Sequence, residues 1–350
     1  MDPVVEAKKS LYGLTINELS QVVKEEGLPS FTAKQIADWL YKKDVTSIDQ
    51  MTNLSKKSRE QLEEKYQIGL SEHIKVQQSA DGTKKYLFKI GNDKFVEAAY
   101  IPESDRATLC VSTQAGCKMG CLFCMTGKQG FQGNLSTIEI LNQLRSIPEF
   151  RTVSNLVYMG MGEPFDNLEN VLSSLEILTS DWGYGWSPKR ITVSSIGIIP
   201  AMLTFLEKSN CHLAISLHNP FDDERKQMMP IQNVYPIQKV IAEIKKADLG
   251  RQQRVSFEYI MFDEINDTDR HIKEMGKLLN GLKCRVNLIR FHQVEGSPLK
   301  GTPDARIIEF RNALTAKGIF TTVRASRGQD IQAACGLLST KELNKKSSQS

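Results

Sequence analysis

The chain reads as an α/β protein with a mostly parallel sheet and crossover helices, preceded by a small helical domain to which a β-hairpin joins it. Three observations predict this. From about residue 105 onward, short β-branched or apolar runs alternate with helical stretches. Before residue 80, apolar residues recur at helical spacing. Between the two, residues 84 to 101 alternate apolar and polar side chains around Gly91-Asn92-Asp93, a turn signal. With 350 residues, 40% apolar and 25% charged, the chain can bury one large core, or a core and an accessory domain. No apolar stretch is long enough to span a bilayer, and Met1-Asp2-Pro3-Val4-Val5-Glu6 lacks the basic-then-apolar pattern of a signal peptide, so a cytoplasmic protein is expected. Seven cysteines, three of them clustered, fit a reducing compartment better than a disulfide framework. The net charge of +4 permits a nucleic-acid partner without demanding one.

In chain order, Thr15-Ile16-Asn17-Glu18 and Thr32-Ala33-Lys34-Gln35 both match the capping box, in which a hydroxyl and a residue three places on satisfy free amides at a helix start. Ile36, Trp39 and Leu40 follow at helical spacing. These features predict a helical accessory domain over 1–80 and a hairpin or linker over 81–102. Glu97 stands among apolar neighbours on the second hairpin strand, where an unpaired carboxylate is costly; the alternative is an outward-facing strand residue. The main domain, 103–330, has strand-like runs at Ala107 to Ser112, Asn155 to Met159, Arg190 to Ser194, Cys211 to Ser216, Arg254 to Ile260, Val286 to Arg290 and Thr321 to Val323. Helical stretches at Thr137 to Ile147, Leu168 to Leu178 and Pro236 to Lys246 lie between them. Six or so such units make a barrel or an open sheet, and either one binds ligands at the carboxyl ends of its strands. A carboxyl-terminal segment, 331–350, ends in a polar tail from Lys341 to Ser350 with a disordered composition.

The first strand leads into Cys117-Lys118-Met119-Gly120-Cys121-Leu122-Phe123-Cys124, which offers three thiolates from one loop and no local fourth ligand. A [4Fe-4S] cluster usually takes four thiolates, so three leave one iron open to a small molecule. The competing reading is a structural zinc loop, closed by Cys110 or a distant histidine. After the second strand comes Gly160-Met161-Gly162-Glu163-Pro164: glycines permit close backbone approach and a carboxylate can hold an ammonium group. Together the two motifs resemble the radical S-adenosylmethionine (SAM) superfamily, which implies a partial (β/α)6 barrel, one [4Fe-4S] cluster on Cys117, Cys121 and Cys124, and SAM as cofactor.

Further motifs narrow the resemblance. Met159-Gly160-Met161-Gly162-Glu163-Pro164, Ser194-Ser195-Ile196-Gly197-Ile198-Ile199-Pro200, Ala214-Ile215-Ser216-Leu217-His218, Val286-Asn287-Leu288-Ile289 and Asp330-Ile331-Gln332-Ala333-Ala334-Cys335-Gly336 closely resemble the RlmN/Cfr family of rRNA adenine methyltransferases. The match runs from about Val96 to Leu338 and is weaker in the amino-terminal domain. It implies methylation of C2 of adenosine 2503 in 23S rRNA and of adenosine 37 in tRNA, with two SAM molecules per turnover. By resemblance Cys335 carries the methyl group, Cys110 resolves the protein–RNA adduct through a transient disulfide with Cys335, and Glu97 accepts the C2 proton. Taken alone, Cys335 and Cys110 also read as packed core residues, and Cys211 and Cys284 match no functional position. SAM contacts carry over to Gly162, Glu163, Ser194, Ser216, Leu217 and His218, and His292 stands where the family commonly has asparagine. The implied partners are 23S rRNA, tRNA and an electron donor such as flavodoxin, for a monomer with no membrane association. Lys189-Arg190 and Arg324-Ala325-Ser326-Arg327 are candidate phosphate contacts flanking the active-site edge. The rivals are a Cfr-type enzyme that methylates C8 and a zinc-stabilised RNA-binding protein without catalysis.

Overall fold

A computed structural model describes residues 8–91, 93–250, 253–292, 298–333 and 338. Its main sheet has ten strands. In chain order they are β1 (Lys75–Gln78), β2 (Lys84–Ile90), β3 (Lys94–Pro102), β4 (Ala107–Cys110), β5 (Asn155–Tyr158), β6 (Ile191–Ser195), β7 (His212–Ser216), β8 (Val255–Met261), β9 (Cys284–Arg290) and β10 (Phe320–Val323). They lie side by side in that same order. Strands β1 to β4 pair antiparallel, and β4 to β10 pair parallel. Parallel strands in unbroken chain order are the winding of a barrel, whereas a doubly wound sheet reverses order at a switch point. Cys110 of β4 and Val323 of β10 line one cavity although they lie seven strands apart in the ladder, counting both, so the sheet curls into a partial barrel.

The seven parallel strands fall where the sequence pattern places them. The hairpin is β2 and β3, and its turn residues Gly91 and Asp93 both take positive φ. Strand β1 carries no sequence signal because its four residues are exposed and three are polar, as suits an edge strand. Among the described residues no helix is long and apolar enough to cross a membrane.

The chain divides into two compact units, one formed by Met1–Glu72, Leu135–Phe150 and Glu169–Ser187, the other by His73–Asn134, Arg151–Leu168 and Pro188–Ser350. In the first, helices Ile16–Glu25, Thr32–Tyr41 and Lys56–Lys65 accompany helix Thr137–Arg145 and most of helix Leu168–Thr179. Tyr12, Tyr41 and Tyr184 form its aromatic centre, with ring centroids 5.6–5.7 Å apart for Tyr41 with each of the others and the Tyr12 and Tyr184 hydroxyls 2.8 Å apart. The capping box at Thr15 is present: the Thr15 amide donates to Glu18 Oε2 at 2.7 Å and the Glu18 amide to Thr15 Oγ1 at 3.4 Å. The second expected box is absent. Thr32 is the first helical residue, its amide donating to Pro29 O at 2.9 Å, so the preceding turn carries the chain into the helix and Phe31 holds the cap position without a side-chain bond.

All three tryptophans, Trp39, Trp182 and Trp186, belong to this first unit, so tryptophan fluorescence reports on its unfolding. Thr15→Ala should lower its stability by about 1 kcal/mol in urea titrations followed by fluorescence, the usual cost of a lost cap; an unchanged midpoint would show that the cap contributes nothing.

Candidate active site

The carboxyl ends of the parallel strands rim a cavity of about 850 Å³. Cys117, Cys121 and Cys124 enter it from the loop after β4. Two short strands, Gln114–Ala115 and Gly133–Asn134, pair antiparallel and close that loop at its base. Gly116 makes the closure possible: its φ is +72°, and a Cβ there would lie 1.7 Å from the Gly130 carbonyl oxygen. The Leu122 amide donates to Met228 O at 3.0 Å and the Cys124 amide to Cys121 O at 3.1 Å, tying the loop to the barrel wall and to itself.

Gln114 links the cysteine loop to the turn after β5. Its Oε1 accepts from the Glu163 amide at 2.9 Å, while its Nε2 donates to Asn134 and Asp166 at 2.8 and 2.7 Å. Gly162 must be glycine at this crossing, because its φ is +95° and a Cβ would meet Gln114 Cβ at 2.5 Å. The Glu163 carboxylate is fixed by two amides, Phe165 N–H to Oε1 and Ile196 N–H to Oε2, both at 3.0 Å. Burial pushes its pKa up to about 7, against the pull of the Ser195 hydroxyl and these amides. A buried, oriented carboxylate on the cavity wall is a fitting partner for an ammonium group, whose charge would offset the desolvation.

The β6 and β7 ends supply Ser194, Ser216 and His218 to the lining, whereas Leu217 is buried behind it. His218 takes φ of +51°, and its Nδ1 accepts from the Ile260 amide at 3.1 Å, so the ring proton sits on Nε2. Burial, helped by Arg225, depresses its pKa to about 3, which keeps the imidazole neutral. Its ring packs edge-on against Phe123 of the cysteine loop at 4.8 Å. His292 lines the cavity after β9 with Nε2 2.9 Å from Ser326 Oγ.

Two residues here escaped the sequence reading. Arg225 is fully buried; Nε donates to Leu217 O at 3.0 Å, and Nη2 to Ser216 O and Ile196 O at 2.9 and 3.2 Å. Its Nη1 donates to Gln232 Oε1 at 2.5 Å. Burial lowers its pKa to about 10, so the guanidinium stays charged. Glu258, level with Ser216 in the β7–β8 pairing, accepts at Oε1 from Asn287 and Ser256 at 2.7 and 3.0 Å. Its buried Oε2 has no hydrogen-bond donor, with Arg324 Nη1 3.6 Å away. A polar ligand in the cavity would supply that donor, which fits SAM with its hydroxyl and ammonium groups. Neither residue carries a motif; their roles arise only where strand ends converge.

The thiols suit a metal cluster. Burial raises the Cys117 pKa to about 12 and lifts that of Cys121 further, so iron would supply the positive charge that makes them thiolates. Cys117, Cys121 and Cys124 are the residues that would hold such a cluster.

Cys110, at the end of β4, is buried, lines the cavity and packs with Ala99 and Ala333. Cys335 lies outside the described residues, as does the tail from Lys341. The described residues nearest it on either side, Ala333 and Leu338, both line the cavity, and Leu338 O accepts from Thr126 Oγ1 at 2.9 Å. The loop leading to Ala333 is clipped to the turn between β1 and β2: the Gly328 amide donates to Asp81 Oδ2 at 2.9 Å, and Asp330 accepts from Ser79 Oγ at 2.6 Å and the Ala80 amide at 3.1 Å. Glu97 does not reach the lining. It is buried in an ion pair with Lys85 at 3.1 Å, on the sheet face shared by Ala99 and Cys110. Lys189 and Arg190 also depart from the expected edge, since they precede β6 and so line the cavity at the amino ends of the strands.

A three-cysteine loop, a Gly-Glu-Pro turn and a partial barrel that gathers both at its carboxyl edge define a radical SAM protein, and the family model of that superfamily matches residues 111–276. A second model, the ribosomal RNA large subunit methyltransferase N-terminal domain, matches residues 9–68. The chain is 54% identical over 333 residues to a probable dual-specificity RNA methyltransferase RlmN of Bacteroides fragilis, covering 95% of this chain and 97% of that protein. It is 40% identical to the dual-specificity RNA methyltransferase RlmN of Syntrophus aciditrophicus, covering 95% and 97%. A crystal structure of a radical SAM methyltransferase from Sphaerobacter thermophilus superposes with a TM-score of 0.87 at 38% identity, covering 94% of this chain and 99% of that one. The chain belongs to the RlmN family.

Arg225→Met would strip donors from three buried carbonyls at about 1–3 kcal/mol each, so unfolding by urea should show a loss of at least ~3 kcal/mol; a loss below ~1 kcal/mol would mean the clamp is not needed. Asp81 offers a pH test. Burial opposes its ionisation, but the amides of Gly328 and Thr83 and nearby hydroxyls win and hold its pKa down at about 2. A carboxyl depressed in the folded state stabilises it above the ordinary value near 4, and that contribution fades as pH falls through about 2. Corrected hydrogen exchange at the Gly328 and Thr83 amides should therefore be slower at pH 5 than at pH 2, and equal protection would contradict the clip.

Proposed function

We propose that this protein, an RNA methyltransferase of the radical SAM type, methylates C2 of adenosine 2503 in 23S rRNA and of adenosine 37 in tRNA, through a methyl group carried on Cys335. What carries this reading is convergence on one cavity: Cys117, Cys121, Cys124 and Cys110 line it together with Ala333 and Leu338, which bracket Cys335 in the sequence. Cys117, Cys121 and Cys124 would hold a [4Fe-4S] cluster, with SAM against Gly162, Glu163, Ser194, Ser216, His218 and His292, and Leu217 backing that wall from behind. When bound, the cluster supplies the electron that cleaves SAM to a 5′-deoxyadenosyl radical.

The residues of the chain divide the remaining work. Cys335 sulfur accepts a methyl group from one SAM, with S-adenosylhomocysteine as leaving group, and that methyl then gives a hydrogen atom to the 5′-deoxyadenosyl radical of a second SAM, leaving a methylene radical that Cys335 presents to the adenine. Radical addition suits C2, an electron-poor carbon that is a poor nucleophile. The adduct radical joins RNA to Cys335 and would lose one electron, back to the oxidised cluster, and its C2 proton; the Cys110 thiolate then attacks the Cys335 sulfur, the S–S bond forming as the C–S bond breaks, and the released carbon takes that electron pair and a proton to become the methyl group. Packing of Ala333 against Cys110 supports this pairing, because the chain reaches Cys335 two residues later. The proton at C2 is assigned to Glu97, which shares the sheet face of Cys110 and is covered by Lys85, so Lys85 must turn aside for it to act. Neutral His218 and the Glu163 carboxylate position SAM and exclude water from its amino end. The protein acts in the cytoplasm, where RNA is available and reduced thiols persist, drawing electrons from a flavodoxin-like donor and working as a monomer.

Anaerobic turnover of the reconstituted protein with SAM, reductant and protein-free 23S rRNA, followed by nucleoside mass spectrometry, should yield 2-methyladenosine. An 8-methyl product would place the chain with the Cfr type. Cys335→Ala should abolish product, whereas Cys110→Ala should accumulate a protein–RNA crosslink; normal product release by that variant would remove Cys110 from the mechanism.

A further inference from the structure

The cavity opens at the amino ends of the strands as well as at the cysteine edge, and the two openings differ in charge. At the amino-end opening, Lys189 and Arg190 precede β6, Arg254 precedes β8 and Arg285 is the second residue of β9; all four are exposed and line the cavity. Among the described residues no carboxylate forms an ion pair with Arg190, Arg254 or Arg285. His212, at the start of β7, sits among them and accepts from the Arg254 amide at 3.1 Å. Burial, and with it the neighbouring Arg254, Arg285 and Lys189, depresses its pKa to about 4. Beside them Phe320, first residue of β10 and register partner of Arg285, is 56% exposed, with the Arg285 guanidinium 5.1 Å from its ring centroid.

The Glu103 carboxylate, which also lines the cavity just before β4, is taken up by Arg106. Convergent cations attract polyanions, and an exposed aromatic ring under a guanidinium offers a face on which an unpaired base can stack. We propose that this amino-end mouth binds single-stranded RNA, with backbone phosphates on Arg190, Arg254, Arg285 and Lys189 and a base stacked at Phe320, so that the target nucleotide enters the barrel from the end opposite the SAM-binding edge. The proposal rests on the RNA-methylating reading above and adds the route and the contacts. A duplex offers no free base face, so the mouth selects unpaired segments.

The test is equilibrium binding of a labelled single-stranded RNA and of the same sequence in duplex, at several KCl concentrations, with circular dichroism and iron content as folding checks. Arg254→Gln combined with Arg285→Gln should weaken single-strand binding by about fivefold per lost contact at 0.1 M salt and reduce the salt slope by about 0.7 for each. Phe320→Ala should weaken binding about fivefold or more with no change of slope, because stacking releases no counterions. Lys239→Gln with Lys273→Gln, which removes two exposed charges from the outer helices, should bind like the parent. Unchanged binding by the double-arginine variant, an equal loss in the lysine control, or a preference for duplex would each overturn the proposal. If the same preparation still methylates 23S rRNA, the enzymatic reading survives that failure; a parent protein that neither binds nor methylates RNA overturns both.

Discussion

The Glu163 carboxylate, bridging the turn after β5 to the turn after β6, is the centre of a hydrogen-bond chain on which the whole site depends. Gln114 holds the Glu163 amide from the β4 side, Glu163 holds the Ile196 amide, and Arg225 then grips the carbonyls of Ile196, Ser216 and Leu217. His218 continues it to β8 through the Ile260 amide. Parallel strands end with carbonyls and amides that their own ladder leaves unpaired, and at a cavity rim water and side chains must satisfy them. Here side chains do so in sequence across five strand ends. The result is a continuous hydrogen-bonded edge that ties the cysteine loop to the turns after β5, β6 and β7.

That edge carries buried charge. Glu163 and Arg225 are both desolvated, and each is hydrogen-bonded by backbone groups of the adjacent turns, which keep Arg225 charged and only partly offset the burial that raises the Glu163 pKa to about 7. The three thiols of the cysteine loop face the same cavity, Cys121 buried and Cys117 and Cys124 half-buried. An edge so arranged has electrostatic demand for cationic groups, which both iron and the sulfonium and ammonium of SAM would meet. The opposite mouth carries the reverse demand, an excess of arginine that a polyanion would satisfy. One curled sheet thus presents two openings of unlike chemistry to a single cavity.

Much of this was legible in the amino-acid sequence. Alternating strand and helix runs located all seven parallel strands, because buried parallel strands require continuous apolar runs. The cysteine spacing and the Gly-Glu-Pro turn pointed to the superfamily because both depend on residues close in the chain, and the Thr15 capping box was readable for the same reason. The Thr32 box misled, since a preceding turn already supplied the partners that the cap would have provided. Strand β1 was invisible, being exposed and polar on both faces.

What the sequence alone determined was therefore the local and the periodic: the parallel strands, the hairpin, the three-cysteine loop and the family motifs. Only the tertiary structure decided that Arg225 clamps three carbonyls at the ends of β6 and β7, that Glu258 keeps a buried oxygen without a donor, that Glu97 is sheathed by Lys85, and that Lys189 and Arg190 lie at the amino mouth with Arg254 and Arg285. Each of these depends on which residues far apart in the chain arrive at one strand end, and that is set by sheet register and curvature, which no short stretch of sequence encodes.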